Sequence, residues 1–171
     1  TTQLRIDFGG GIKTNEDIQA VFDAGAAIAA IGSVAVKNSD LFFSWIKKFG
    51  TEKILLGADV KDEKIAISGW LEQTQISVYD FITDNLKKGI KNIFCTDISK
   101  DGLLEGTAME LYRNIIKKSP EINLIASGGV ASIEEIEKLS VAGCRGVIIG
   151  KAIYEGKISM KELTNYQLKW L

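Results

Sequence analysis

Short apolar runs rich in β-branched residues recur along the chain at 3–8, 27–31, 53–59, 92–97, 123–127 and 146–149. Between them lie amphipathic stretches at 16–24, 41–49, 78–88, 109–118, 133–142 and 160–168, whose apolar positions repeat at helical spacing. Runs of strand length alternating with helical patterns predict six βα units in series, a parallel sheet with helices outside it. Thr14-x-x-Asp17 and Ser132-x-x-Glu135 mark helix starts in the manner of a capping box. A polar excursion at 61–68 interrupts the alternation after the third strand and reads as a long loop or a short hairpin. No shift in composition marks a boundary, so residues 1–171 are expected to form one domain.

One internal repeat refines this picture. Residues 10–32 align with 128–150 without a gap, at a constant offset of 118 (128 − 10 = 118). The identical pairs include Gly10/Gly128, Gly11/Gly129, Glu16/Glu134, Ile18/Ile136, Ala24/Ala142, Gly25/Gly143, Ile31/Ile149 and Gly32/Gly150. Four βα units within such an offset are half of an eightfold (β/α)8 TIM barrel of roughly 250 residues. The six units here are then the third to the eighth, and the first two, roughly seventy residues, are missing. We expect a piece of a longer protein rather than a severed fragment, because nothing blunts 3–8 as a sheet edge.

Composition mostly excludes. With 21 Lys and Arg against 22 Asp and Glu, the net charge is −1, and no basic stripe invites nucleic acid or an anionic membrane. The longest nearly apolar run, 24–36, is broken by Gly25, Gly32 and Ser33 and is too short to span a bilayer. There is no histidine, which removes imidazole bases, Ser-His-Asp triads and His-ligated metals from this chain. Cys95 and Cys144 lack any paired spacing, so no metal site is expected and a reducing, cytoplasmic location is. Acid–base work falls to carboxylates, lysines or tyrosines.

The repeat concentrates glycine at the C-terminal ends of strands, where barrel enzymes carry their active sites. Gly10, Gly11, Gly32 and Ser33 form one group; Gly128, Gly129, Gly150 and Lys151 form its copy. Glycine lets the backbone approach an oxyanion, and the N–H groups that open the following helix are unpaired. Turn glycines at positive φ are the plainer reading of one Gly-Gly, but two matched copies favour phosphate binding. Two cradles on opposite sides of one mouth imply a substrate with a phosphate at each end. Asp59 follows the apolar strand 54–58 and is a candidate general acid, with a turn or cap role as the alternative. Its repeat partner falls at 59 − 118 = −59, on the missing first strand, where a second carboxylate is inferred. Thr96 and Asp101 stand at the same end, in a stretch where Asp97 and Asp101 also suit turns. Trp70 sits on a polar loop, either as a lid that stacks on a flat heterocycle or packed on the rim. Trp45 and Trp170 are expected to pack helices on the barrel, and the cysteines to be packing residues.

Phe8-Gly9-Gly10-Gly11-Ile12, Ile31-Gly32-Ser33, Gly57-Ala58-Asp59-Val60, Ser68-Gly69-Trp70, Cys95-Thr96-Asp97-Ile98-Ser99-Lys100-Asp101-Gly102, Ser127-Gly128-Gly129-Val130 and Ile149-Gly150-Lys151-Ala152 together resemble one family. It is the phosphoribosylformimino-AICAR-phosphate (ProFAR) isomerases of histidine biosynthesis, and the resemblance covers essentially the whole chain. It implies an Amadori rearrangement of a substrate carrying two phosphoribosyl groups, an aminoaldose becoming an aminoketose without any cofactor. By resemblance Asp59 is the acid that protonates the ribose ring oxygen, and Thr96 helps hold the reacting sugar. Asp101 positions substrate and Trp70 stacks on it. The family's base, a first-strand aspartate, has no counterpart here, which implies that this stretch alone is inactive. The expected partner is a small bisphosphate, with no nucleic acid and no membrane, and the protein is expected to be a monomer. Two alternatives stand: the related cyclase of the same pathway, which shares the half-barrel repeat, and a non-catalytic bisphosphate-binding fragment. Ser68-Gly69-Trp70 favours the isomerase over the cyclase.

Overall fold

The computed structural model describes residues 4–168. Strands β1 (Asp7–Gly9), β2 (Ile28–Ile31) and β3 (Ile54–Lys61) are followed by a hairpin, β4 (Lys64–Ile67) and β5 (Glu72–Ser77). Strands β6 (Asn92–Asp97), β7 (Asn123–Ser127) and β8 (Gly146–Ile148) complete the sheet. Its path is β1-β2-β3-β6-β7-β8 with every step parallel, and the hairpin hangs from β3 by antiparallel pairing. Six parallel strands with helices between them are a partial (β/α)8 barrel. Its central strand β3 is buried from Ile54 to Ala58, as a strand covered on both faces must be.

The helices are α1 (Asn15–Asp23), α2 (Ser33–Lys37), α3 (Ser39–Phe49), α4 (Val78–Leu86), α5 (Met109–Lys118), α6 (Ile133–Val141), α7 (Lys151–Tyr154) and α8 (Met160–Leu168). The longer ones bury one stripe at helical spacing: Phe42 and Trp45 on α3, Val78, Phe81 and Ile82 on α4, and Leu111, Tyr112 and Ile115 on α5. Each large apolar side chain removed from water there contributes about 1.5–3 kcal/mol. Trp45 is buried in that interface, and its indole N–H donates to Asn15 Oδ1 at 2.7 Å. Cys95 and Cys144 are both buried free thiols, and burial raises both pKa values, that of Cys144 to about 11. No helix among the described residues is long and apolar enough to cross a membrane. Trp170 and the first residue of the 3–8 run lie outside the described residues.

The sequence repeat is also a backbone repeat. Helices α1 and α6 coincide at both ends under the same offset (15 + 118 = 133; 23 + 118 = 141). Gly10 and Gly128 have φ of 95° and 96°, and Gly11 and Gly129 have 76° and 77°. Thr14 Oγ1 accepts the Asp17 amide and Ser132 Oγ the Glu135 amide, as the capping spacing requires. The Asp17 carboxylate in turn accepts the Lys13 and Thr14 amides, which hold its pKa below the usual range.

One expectation needs correction, the hairpin alternative holds but runs further than expected, and two short helices come in addition. The first strand is Asp7–Gly9 rather than 3–8, since the ladder to β2 covers only Asp7 to Gly9. The excursion is a full hairpin reaching Ser77, because β3 runs on to Lys61 and the polar segment Glu72–Ser77 pairs back on β4. Two one-turn helices, α2 and α7, begin directly after Gly32 and Gly150, where no helical period is long enough to announce them.

Candidate active site

Parallel register sets one polar row across the C-terminal end of the sheet. Asp59 on β3 pairs with Thr96 on β6, and Thr96 pairs with Ser127 on β7. Thr96 and Ser127 are buried, at 4% and 7% exposure. Asp59 is half-buried: its Oδ2 accepts the Trp70 indole N–H at 2.9 Å, and its Oδ1 is buried without a hydrogen-bond partner. An unsatisfied buried carboxylate oxygen is costly in a fold that gains nothing from it, and such atoms cluster where a ligand supplies the missing partner. Among the described residues, Asp59 is thus the one carboxylate with an oxygen both buried and unpaired.

On the β1–β2 side of this row lies a cavity of about 840 Å³, within the range of small-molecule sites. Gly10, Gly11, Gly32, Ser33, Asp59 and Trp70 all line it. Its wall includes Phe94, whose ring fits because Gly57 faces it; a Cβ on Gly57 would come within 2.7 Å of that ring. The turn joining β4 to β5 leans over the cavity with Ser68, Gly69 and Trp70 all at positive φ (58°, 65° and 70°). Ser33 Oγ accepts the Ser68 amide at 2.8 Å, and Lys37 Nζ donates to Ser68 Oγ and Glu72 Oε1 at 2.8 and 3.0 Å. Lys37 and Ser68 hold the Glu72 carboxyl below its ordinary pKa. These contacts aim Trp70, 45% exposed, at Asp59.

On the β7–β8 side a cavity of about 190 Å³ is lined by Asp101, Ser127, Gly128, Gly129, Gly150 and Lys151, among others. The loop between β6 and α5 covers this side. A Cβ on Gly129 would stand 2.1 Å from the Gly106 carbonyl oxygen, so only glycine fits beneath that loop. The buried Tyr112 hydroxyl donates to the Ser127 carbonyl at 2.6 Å, which fixes the strand end that feeds the cradle. Lys151 Nζ donates to the Gly102 carbonyl at 2.7 Å. Asp97 serves a turn, accepting from the Ser99 amide and hydroxyl.

The structure thus brings Asp59, Trp70 and the first cradle into one cavity, and Asp101 and the second cradle into another, with Thr96 between them in the polar row. Phe94, Ser127, Lys37 and Tyr112 escaped the sequence reading. Phe94 and Tyr112 look like core residues of a strand and a helix, and no spacing rule marks Lys37. Ser127 carried a signal, since it directly precedes the repeated Gly-Gly.

A parallel βα sheet with two repeat-related glycine turns flanking a carboxylate at its C-terminal end defines the class of βα-barrel proteins that carry their site on that face. Within that class the chain belongs to the histidine biosynthesis protein family, which matches residues 1–159. It is 52% identical over 165 residues to a 1-(5-phosphoribosyl)-5-((5-phosphoribosylamino)methylideneamino)imidazole-4-carboxamide isomerase of Flavobacterium johnsoniae, covering 96% of this chain and 69% of that protein. Proteins of the same name from Parabacteroides distasonis and Phocaeicola vulgatus are 54% and 51% identical, with the same 96% and 69% coverage.

Proposed function

We propose that this chain forms most of the active mouth of a ProFAR isomerase, an aldose–ketose isomerase performing an Amadori rearrangement on a bisphosphorylated substrate. The observation that carries the reading is Asp59, with one oxygen bonded to Trp70 and the other buried and unpaired, standing between two repeat-related cradles. The names of the relatives support the same substrate class. Each cradle offers backbone N–H groups to one phosphate, and the mouth between them takes the aminoimidazole carboxamide and the reacting sugar.

In this reading Asp59, as the general acid, gives a proton to the ribose ring oxygen as the C1–O bond breaks, and the ring opens to an iminium. A carboxylate base then removes the C2 proton, and the resulting enamine tautomerises to the aminoketose. Atoms balance without a cofactor. That base would stand on a barrel strand other than the six here, so this stretch by itself would bind but not turn over. Thr96, beside Asp59 in the row, helps hold the sugar, and Asp101 positions the far end. The protein would act as a cytoplasmic monomer on this small molecule, with residues 1–171 as part of one barrel domain.

The test is steady-state kinetics of the intact protein on the bisphosphorylated aminoaldose. Asp59→Asn is expected to lower kcat by at least about 10²-fold with KM nearly unchanged, since it removes a group used in the transition state. Retained turnover would remove Asp59 from the acid role.

A further inference from the structure

Ser33 and Lys151 are repeat partners (33 + 118 = 151) and open α2 and α7 directly behind the cradle glycines. Their side chains differ in chemistry and agree in what they fasten. Ser33 Oγ accepts the amide of Ser68 at 2.8 Å, and Lys151 Nζ donates to the carbonyl of Gly102 at 2.7 Å. Each therefore ties a cradle to a neighbouring loop, and those two loops carry Trp70 and Asp101. The first loop needs such a tie. Ser68 and Trp70 hold positive φ, which a non-glycine residue keeps only where surrounding contacts over-determine it. Lys37, one turn along α2, adds its own bonds to Ser68 Oγ and Glu72. The second loop passes over Gly129 so closely that its Gly106 carbonyl leaves no space for a Cβ there.

We propose that Ser33 and Lys151 are positioning residues, latching the loops that carry Trp70 and Asp101 onto the two cradles. The role of the loops in turnover rests on the isomerase reading; the latches do not. With Ser33 Oγ accepting from Ser68, and Lys151 Nζ bonded to Gly102 and paired with Glu155 at 3.4 Å, releasing either loop displaces Trp70 from Asp59 or Asp101 from the smaller cavity. Such misplacement lowers turnover.

The experiment uses the intact protein and its Ser33→Ala, Lys151→Met and Lys151→Arg variants. It measures amide hydrogen exchange at 66–72 and 100–104, the Kd for inorganic phosphate, and kcat and KM. Ser33→Ala is expected to speed exchange of the Ser68 amide about fivefold, the yield of one lost hydrogen bond. It lowers kcat about tenfold through misplacement of Trp70, while the phosphate Kd stays within about twofold. Lys151→Met does the same around Leu103, and Lys151→Arg, which keeps a donor, restores slow exchange. A phosphate Kd weakened about tenfold with exchange unchanged makes these side chains phosphate ligands and overturns the proposal. A wild-type protein without isomerase turnover would instead sink the isomerase reading, and the exchange and phosphate measurements would still decide the latches.

Discussion

The Gly-Gly turn after β1 and the one after β7 share φ to within a degree and differ in what surrounds them. Nothing lies within 4 Å of where a Cβ would stand on Gly10 or Gly11, and the adjoining cavity holds about 840 Å³ and reaches Asp59. Over Gly128 and Gly129 the β6–α5 loop closes down, the cavity shrinks to about 190 Å³, and Tyr112 fixes the strand end. The same dipeptide therefore answers two constraints on one side and one on the other. At 10–11 glycine is required for its conformation; at 128–129 it is required for conformation and for space. In the proposed reaction the open side is where chemistry needs room, and the sealed side is where one end of the substrate needs only to be held.

Paired substitutions sharpen this contrast most. Gly129→Ala adds a Cβ against a backbone carbonyl at an already left-handed residue and is expected to cost about 4 kcal/mol. Gly11→Ala bears only the conformational penalty, about 1–2 kcal/mol. Urea unfolding midpoints at matched m-values measure both, and equal losses would show that the loop yields without cost. A smaller effect is expected on the open side from Trp70→Phe, which keeps a ring but leaves both Asp59 oxygens without a donor. Turnover should drop about tenfold, with little change in stability because Trp70 is 45% exposed; an unchanged kcat would mean the indole contact is idle. The smallest effect is pH-dependent and one-sided. Lys37 and Ser68 lower the Glu72 pKa below its ordinary 4.5, so this contact is fully present above pH 4.5 and is lost as pH falls through the lower folded value. Exchange in the hairpin, referred to intrinsic rates, should therefore rise from pH 6 to about pH 3.

The βα alternation was legible because each long helix and each central strand buries an apolar face whose period survives in the sequence. The glycine cradles were legible because an ungapped repeat marks positions that one copy alone leaves ambiguous. Asp59 stood out as a charge directly after the apolar run 54–58. Less was legible where local signals are short or polar. Helices α2 and α7 are single turns with no period to read, and Glu72–Ser77 is an exposed polar strand that gains its pairing from β4 rather than from its own pattern.

What the sequence determined by itself was the alternation, the repeat and hence the barrel, the two Gly-Gly turns and the carboxylate, since each is a local pattern or a local pattern that recurs along the chain. Tertiary structure alone decided that Trp70 bonds Asp59 across eleven positions, that Lys151 reaches Gly102 across forty-nine, and that Gly129 lies under Gly106. Those contacts follow from strand register and loop path, which are set by the packing of the whole sheet and leave no local trace in the residues they join.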